Sequence, residues 1–147
     1  MVLALATLAG CGDSSGPEKA RSPGEAAFAR YCAGCHGVQG QGRPPAFPPL
    51  AGSEWMALPP EGLSAIVLLG LRGEIEVAGK RYAGYMPPMQ HIDDARVADI
   101  VRYLKQTWSE AAPEWAAADV ARLRSALAGR PVPEGRDGIE RLLEDLP

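Results

Sequence analysis

A chain of 147 residues, 46% hydrophobic and 22% charged, has the material for one small packed domain plus extensions. Its formal net charge of −3 removes the broad attraction to phosphate backbones on which nucleic-acid binding rests, so no nucleic-acid partner is expected. Of the three cysteines, Cys32 and Cys35 stand close together and Cys11 apart, so the odd one needs a separate explanation.

The first apolar run, residues 1–10, is too short to cross a bilayer and reads as the end of an export signal. No Lys or Arg precedes it, which departs from the usual pattern of such signals. Leu8-Ala9-Gly10-Cys11 resembles a bacterial lipobox, in which cleavage before the cysteine leaves its thiol as the attachment point for diacylglycerol. That accounts for the odd cysteine. Each buried acyl CH₂ adds about 0.8 kcal/mol of membrane affinity, so a multiply acylated Cys11 implies a chain anchored on the periplasmic side of a bacterial membrane. Without the lipid it is expected to be soluble in the periplasm. Residues 11–21, rich in Gly, Ser and charge, read as a flexible tether, followed by a domain over 22–109 and an extension over 110–147.

Ser22-Pro23-Gly24-Glu25 combines an N-cap, a proline at the first helical position and a glutamate placed for a capping box, and predicts a helix through Phe28 and Tyr31 to Cys32. That helix leads into Cys32-Ala33-Gly34-Cys35-His36, the C-x-x-C-H order that covalent attachment of a c-type haem requires. Two thiols three positions apart can each add across one vinyl group, and His36 is then placed to ligate the iron. A thiol–disulfide redox pair would sit in a thioredoxin-like βαβ pattern, which is absent from the sequence, and a structural zinc site would need further Cys or His ligands at metal spacing. The expected cofactor is one covalently attached haem c. Export and haem attachment outside the cytoplasmic membrane point to the same compartment.

Residues 37–49 hold too many glycines and prolines for regular structure and predict an ordered loop around something rigid. Residues 61–71 read as a short helix with one apolar face, and residues 74–82 as a hairpin turning at Ala78-Gly79. Asp93 is a capping residue between Ile92 and Val97, which stand at hydrophobic-staple spacing. The helix behind it carries Val97, Ile100, Val101, Leu104 and Trp108 at helical spacing, with Arg96, Asp99, Arg102 and Lys105 assigned to its outer surface. Residues 113–128 and 137–146 predict two further amphipathic helices, the second with Ile139, Leu142, Leu143 and Leu146 in one stripe. Together they read as a tail laid over the domain, with a partner-docking helix as the alternative.

A haem held by histidine alone keeps one coordination position open, and a thioether there makes an electron carrier of raised potential. Met86, inside Tyr85-Met86-Pro87-Pro88, is the leading candidate because the two prolines limit how far its sulfur can move; Met89 and His91 are the rivals, and Met56 is assigned to the core. Taken together, Gly24, Phe28, Cys32, Cys35 and His36, the stretch Pro48-Pro49-Leu50-Ala51-Gly52, Met86 with Pro87, and Tyr103-Leu104 resemble the motifs of class I cytochromes c over residues 22–109. The resemblance implies an all-α cytochrome c fold in which the N- and C-terminal helices of the domain cross near Gly24 and Phe28. It also implies that the carbonyl of Pro48 accepts a hydrogen bond from His36 Nδ1, with His36 and Met86 as metal ligands. The porphyrin is expected among Phe28, Tyr31, Leu50, Ile66, Leu69, Met86 and Leu104. The implied function is one-electron transfer between redox partner proteins in a bacterial respiratory or related periplasmic chain, by a carrier that is not itself an enzyme. The alternatives are a haem subunit of a larger oxidase, reductase or dehydrogenase, and a ligand-sensing or catalytic haem protein.

Overall fold

Residues 21–109, 111 and 113–146 are described by a computed structural model of the chain. The export segment, Cys11 and all of the tether except Arg21 lie outside the described residues. Helix α1, Pro23–Tyr31, begins where expected: Ser22 Oγ accepts from Glu25 N at 3.2 Å and Pro23 occupies the first turn. After a kink at Cys32 comes the short α2, Ala33–His36, which stops at Gly37 with φ of 80°. A long loop and a 3₁₀ turn, Glu54–Ala57, lead to α3, Pro60–Leu69. Strands β1, Leu71–Val77, and β2, Lys80–Met86, form an antiparallel hairpin with Val77 paired to Lys80 and Leu71 to Met86. Helix α4, Asp94–Trp108, is capped by Asp93, whose Oδ1 accepts from Arg96 N at 2.9 Å. The extension holds α5, Ala117–Ala126, and α6, Gly135–Glu144.

Helix α4 is the axis of the molecule. It packs against α1, α3 and α5, and its apolar face, Val97, Ile100, Val101 and Leu104, is buried throughout. The crossing with α1 occurs at Gly24, where a Cβ would lie 2.7 Å from Tyr103 Cβ and collide with the backbone oxygen of Asp99. Next to it Phe28 is 1% exposed, with ring centroids 5.4 Å from both Tyr103 and Trp108. The close approach thus lets three aromatic rings seal one end of the core, and the crossing stands where the family resemblance placed it.

The hairpin is longer than the alternation of residues 74–82 suggested, reaching Met86, because backbone pairing continues through Gly84 and Gly73 where no side-chain signal exists. Helix α5 starts at residue 117 rather than 113. Residues 113–116 run without regular structure and Trp115 is inserted into the core, its Nε1 donating to Ser64 Oγ at 3.0 Å. Helix α6 packs on α3 and β1, burying Ile139 and Leu142, and the preceding Pro133 carbonyl accepts from Arg72 N at 3.1 Å. Lys105 is not on the outer surface: it is 7% exposed, and its Nζ donates to the carbonyls of Met56 at 2.9 Å and Leu58 at 3.0 Å. Those carbonyls belong to the 3₁₀ turn and its end, where no backbone donor follows, so a cation at a helix C-terminal end is well placed.

Candidate functional site

Every element up to the start of α4 contributes to one apolar cavity. About 1190 Å³ of non-atom space lies within it, a figure that includes the solvent at its open mouth. Cys32, Cys35 and His36 lie on it, as do Pro48, Leu50, Trp55, Ile66, Met86, Met89 and Leu104. The hairpin forms one wall through Ile75, Val77 and Tyr82. This alternation on one face of a strand puts apolar side chains inward, and the sequence signal for it was present in Ile75 and Val77.

The two thiols differ. Cys32 is buried and Cys35 exposed, so burial, aided by the nearby Cys35, pushes the Cys32 thiol up to about 12. His36 is oriented from behind by the Pro48 carbonyl, which lies 2.9 Å from Nδ1. A carbonyl oxygen can only accept, so Nδ1 carries the hydrogen and the neutral ring keeps its lone pair on Nε2. Burial lowers the pKa of His36 and outweighs the opposing effect of the Pro48 hydrogen bond, so the ring is held in the neutral, metal-ligating form. A bond from the second ring nitrogen to a carbonyl is the usual way a protein fixes the orientation and basicity of a ligating histidine.

Met86 and Met89 both line the cavity, whereas His91 does not: it is exposed and stacks edge-on against Tyr31 with centroids 6.1 Å apart. Met56 is buried, as expected of a core residue, and also faces the cavity. The approach of Met86 to the end of α3 requires Gly70, where φ is 78° and a Cβ would strike the carbonyl of Met86 and come within 3.0 Å of Pro88 N. Two residues expected around the porphyrin are elsewhere. Phe28 belongs to the aromatic cluster at the α1–α4 crossing, and Leu69 is buried without lining the cavity. Apolar character told that both are buried but not against what. Trp55 was missed; its ring carries the Arg136 guanidinium 5.2 Å from its centroid, and its Nε1 donates to the Glu76 carbonyl at 2.9 Å.

An apolar cavity with two thiols and a neutral histidine at one place fits a covalently held haem c. Among the described residues no three His, Cys, Asp or Glu side chains come together as a metal-binding group. The sequence model of the cytochrome c family matches residues 22–108, more than half of the chain. Two cytochromes c-552, both from Thermus thermophilus, are each 42% identical to it over 84 residues. The alignments cover 54% of this chain and 64% and 57% of those proteins, so the chain spans less than two thirds of the length of the relatives it matches. Fold, motif order and family match agree: the chain belongs to the cytochrome c family, whose cofactor is a covalently attached haem c.

Proposed function

We propose that the protein is a one-electron carrier whose haem is tethered by Cys32 and Cys35 and ligated by His36 and Met86. The observation that carries this reading is the single cavity on which both thiols, the oriented imidazole and the methionine stand together. When bound, the haem supplies an iron that cycles between ferric and ferrous states. The chain's residues do the rest. Cys32 and Cys35 prevent loss of the cofactor. Pro48 holds the imidazole, and Gly70, Pro87 and Pro88 restrict movement of the Met86 backbone, so little has to rearrange when charge changes. Apolar walls exclude water, and a neutral thioether in place of water favours the reduced state.

The rival reading as a permanent subunit of a larger redox complex leaned on the apolar stripe of the last helix. Ile139 and Leu142 of that stripe are buried against α3 and β1, with Leu143 and Leu146 half-buried beside them, which favours a freely exchanging carrier. We assign its location to the periplasmic side of a bacterial membrane, anchored by lipid on Cys11, and its partners to redox proteins there. No helix among the described residues is long and apolar enough to cross a membrane.

Covalent attachment is tested by acid–acetone extraction after export alongside a haem-maturation system. The colour should stay with the polypeptide, and Cys32→Ala with Cys35→Ala should release it; a parent that yields all its haem to the solvent contradicts the reading. Anchoring is tested by feeding cells a labelled fatty acid. Label should enter the parent and not Cys11→Ala, and equal labelling of the two rules the anchor out.

A further inference from the structure

We propose that Arg124, in the last turn of α5, is a positioning residue that holds the methionine loop closed over the cavity. This rests on the reading of Met86 as an iron ligand. Three of its donors each meet a different acceptor: Nε donates to Asp94 Oδ1 at 2.8 Å, Nη1 to the Gln90 carbonyl at 2.9 Å and Nη2 to the Ile92 carbonyl at 2.6 Å. The three acceptors span the segment that joins Met86 and Met89 to α4. A guanidinium presents its donors in a rigid planar fork, so one side chain fixes the whole turn at once.

The loop needs such a tie from outside. Pro87 and Pro88 have no N–H, so no backbone donor can hold the chain between Met86 and Met89. Met89 N then donates to the Val67 carbonyl at 2.9 Å, and Ile92 N returns to the Met89 carbonyl at 3.1 Å. Gln90 and His91 are exposed, and the Arg124 fork is what connects their stretch of backbone to a neighbouring element. The base of the fork is firm. Val120 and Leu123 on the same helix are 0% and 5% exposed, and α5 packs on both α3 and α4. With Arg124 and Asp94 side chains each 31% exposed, the pair is partly shielded from water. Arg124 lies beyond the residues matched by the family model, so the extension reaches back to act on the domain's own ligand loop.

The test uses the full-length ferric holoprotein and cyanide as the probe that competes for the iron. Its readouts are the cyanide association rate, the red charge-transfer band, amide exchange at residues 90–92 and the thermal midpoint. Arg124→Ala should bind cyanide about tenfold faster or more, the size expected for losing charge-assisted hydrogen bonds, and should exchange faster at residues 90–92 than elsewhere. Arg124→Lys, with a single point charge in place of the fork, should fall between. Arg122→Ala, on the same helix with a side chain 73% exposed, should match the parent. Parent-like cyanide binding and exchange in Arg124→Ala overturn the inference. So does a rise in exchange spread evenly over the chain, since that reports a purely structural role. Should Arg124→Ala not accumulate as holoprotein, Arg124→Lys decides, and a parent-like cyanide rate there overturns the inference. Met86→Ala separates the two claims: a parent-like band and cyanide rate in that variant refute Met86 ligation, whereas ligand-like behaviour of Met86→Ala beside an inert Arg124→Ala refutes only the tether.

Discussion

Gly24 shows how much a single missing methyl group can decide. The two helices that frame the domain approach so closely there that any Cβ meets the Asp99 backbone oxygen and stands 2.7 Å from Tyr103 Cβ. Neither neighbour is the free end of a flexible side chain, so Gly24→Ala should force the helices apart and cost about 1–3 kcal/mol, as overpacking of a filled core does. Gly34→Ala is the control, because nothing lies within 4 Å of a Cβ at that position. It should leave stability within about 0.5 kcal/mol. Chemical denaturation of the two holoproteins measures both; equal midpoints would contradict the crossing. The same scale holds the clearest success of sequence reading, the bond from His36 Nδ1 to Pro48 O, which followed from the family resemblance of two motifs 12 residues apart. It also holds the clearest failure. Lys105 looks like an outer-surface cation on a helical wheel, because periodicity says nothing of the carbonyls of Met56 and Leu58 that draw its ammonium inside.

At the level of elements, what the sequence revealed were the ends that carry their own chemistry. Ser22 and Asp93 announce α1 and α4 through side-chain oxygens that accept backbone N–H groups, and Ala78-Gly79 announces the turn between strands. Boundaries set by distant partners stayed hidden. The start of α5 is displaced by Trp115, whose indole reaches Ser64 in α3, and the fork of Arg124 joins residues thirty or more positions apart. The Asp93 cap has a pH signature. Its carboxyl is held below the ordinary carboxylate range chiefly by the Arg96 N–H; desolvation opposes this, and the side chains of Arg96 and Arg124 add to the lowering. A carboxyl depressed in the folded state contributes stability that is complete above its unfolded value and is lost as pH falls through its folded one. Thermal midpoints followed from neutral pH to about pH 3 should therefore fall less steeply for Asp93→Asn, which still caps but does not titrate, than for the parent. Asp93→Ala should already melt lower at neutral pH. Parallel acid limbs for parent and Asp93→Asn would contradict the assignment.

Over the whole molecule, the haem-domain helices and a hairpin wall converge on one cavity that carries both thiols, an oriented histidine and three methionines, while the extension packs outside it on α3, α4 and β1. The fold class followed from the resemblance to class I cytochromes c, and the pentapeptide Cys32–His36 was legible from residue order alone. The composition of the pocket was only partly so, since Phe28 and Leu69 are as apolar as Ile66 and Leu104 yet face other neighbours. The central claim is that Met86 completes the coordination and makes the protein a carrier rather than a ligand-binding or catalytic haem protein. The most direct measurement is the red charge-transfer band of the ferric protein, recorded for the parent, Met86→Ala and Met89→Ala. The parent and Met89→Ala should both show it, and Met86→Ala should lose it while its reduction potential falls and carbon monoxide binds readily to the ferrous form. A band that vanishes in Met89→Ala and survives in Met86→Ala would move the ligand to Met89; a parent that lacks the band and binds carbon monoxide at once would contradict the carrier itself.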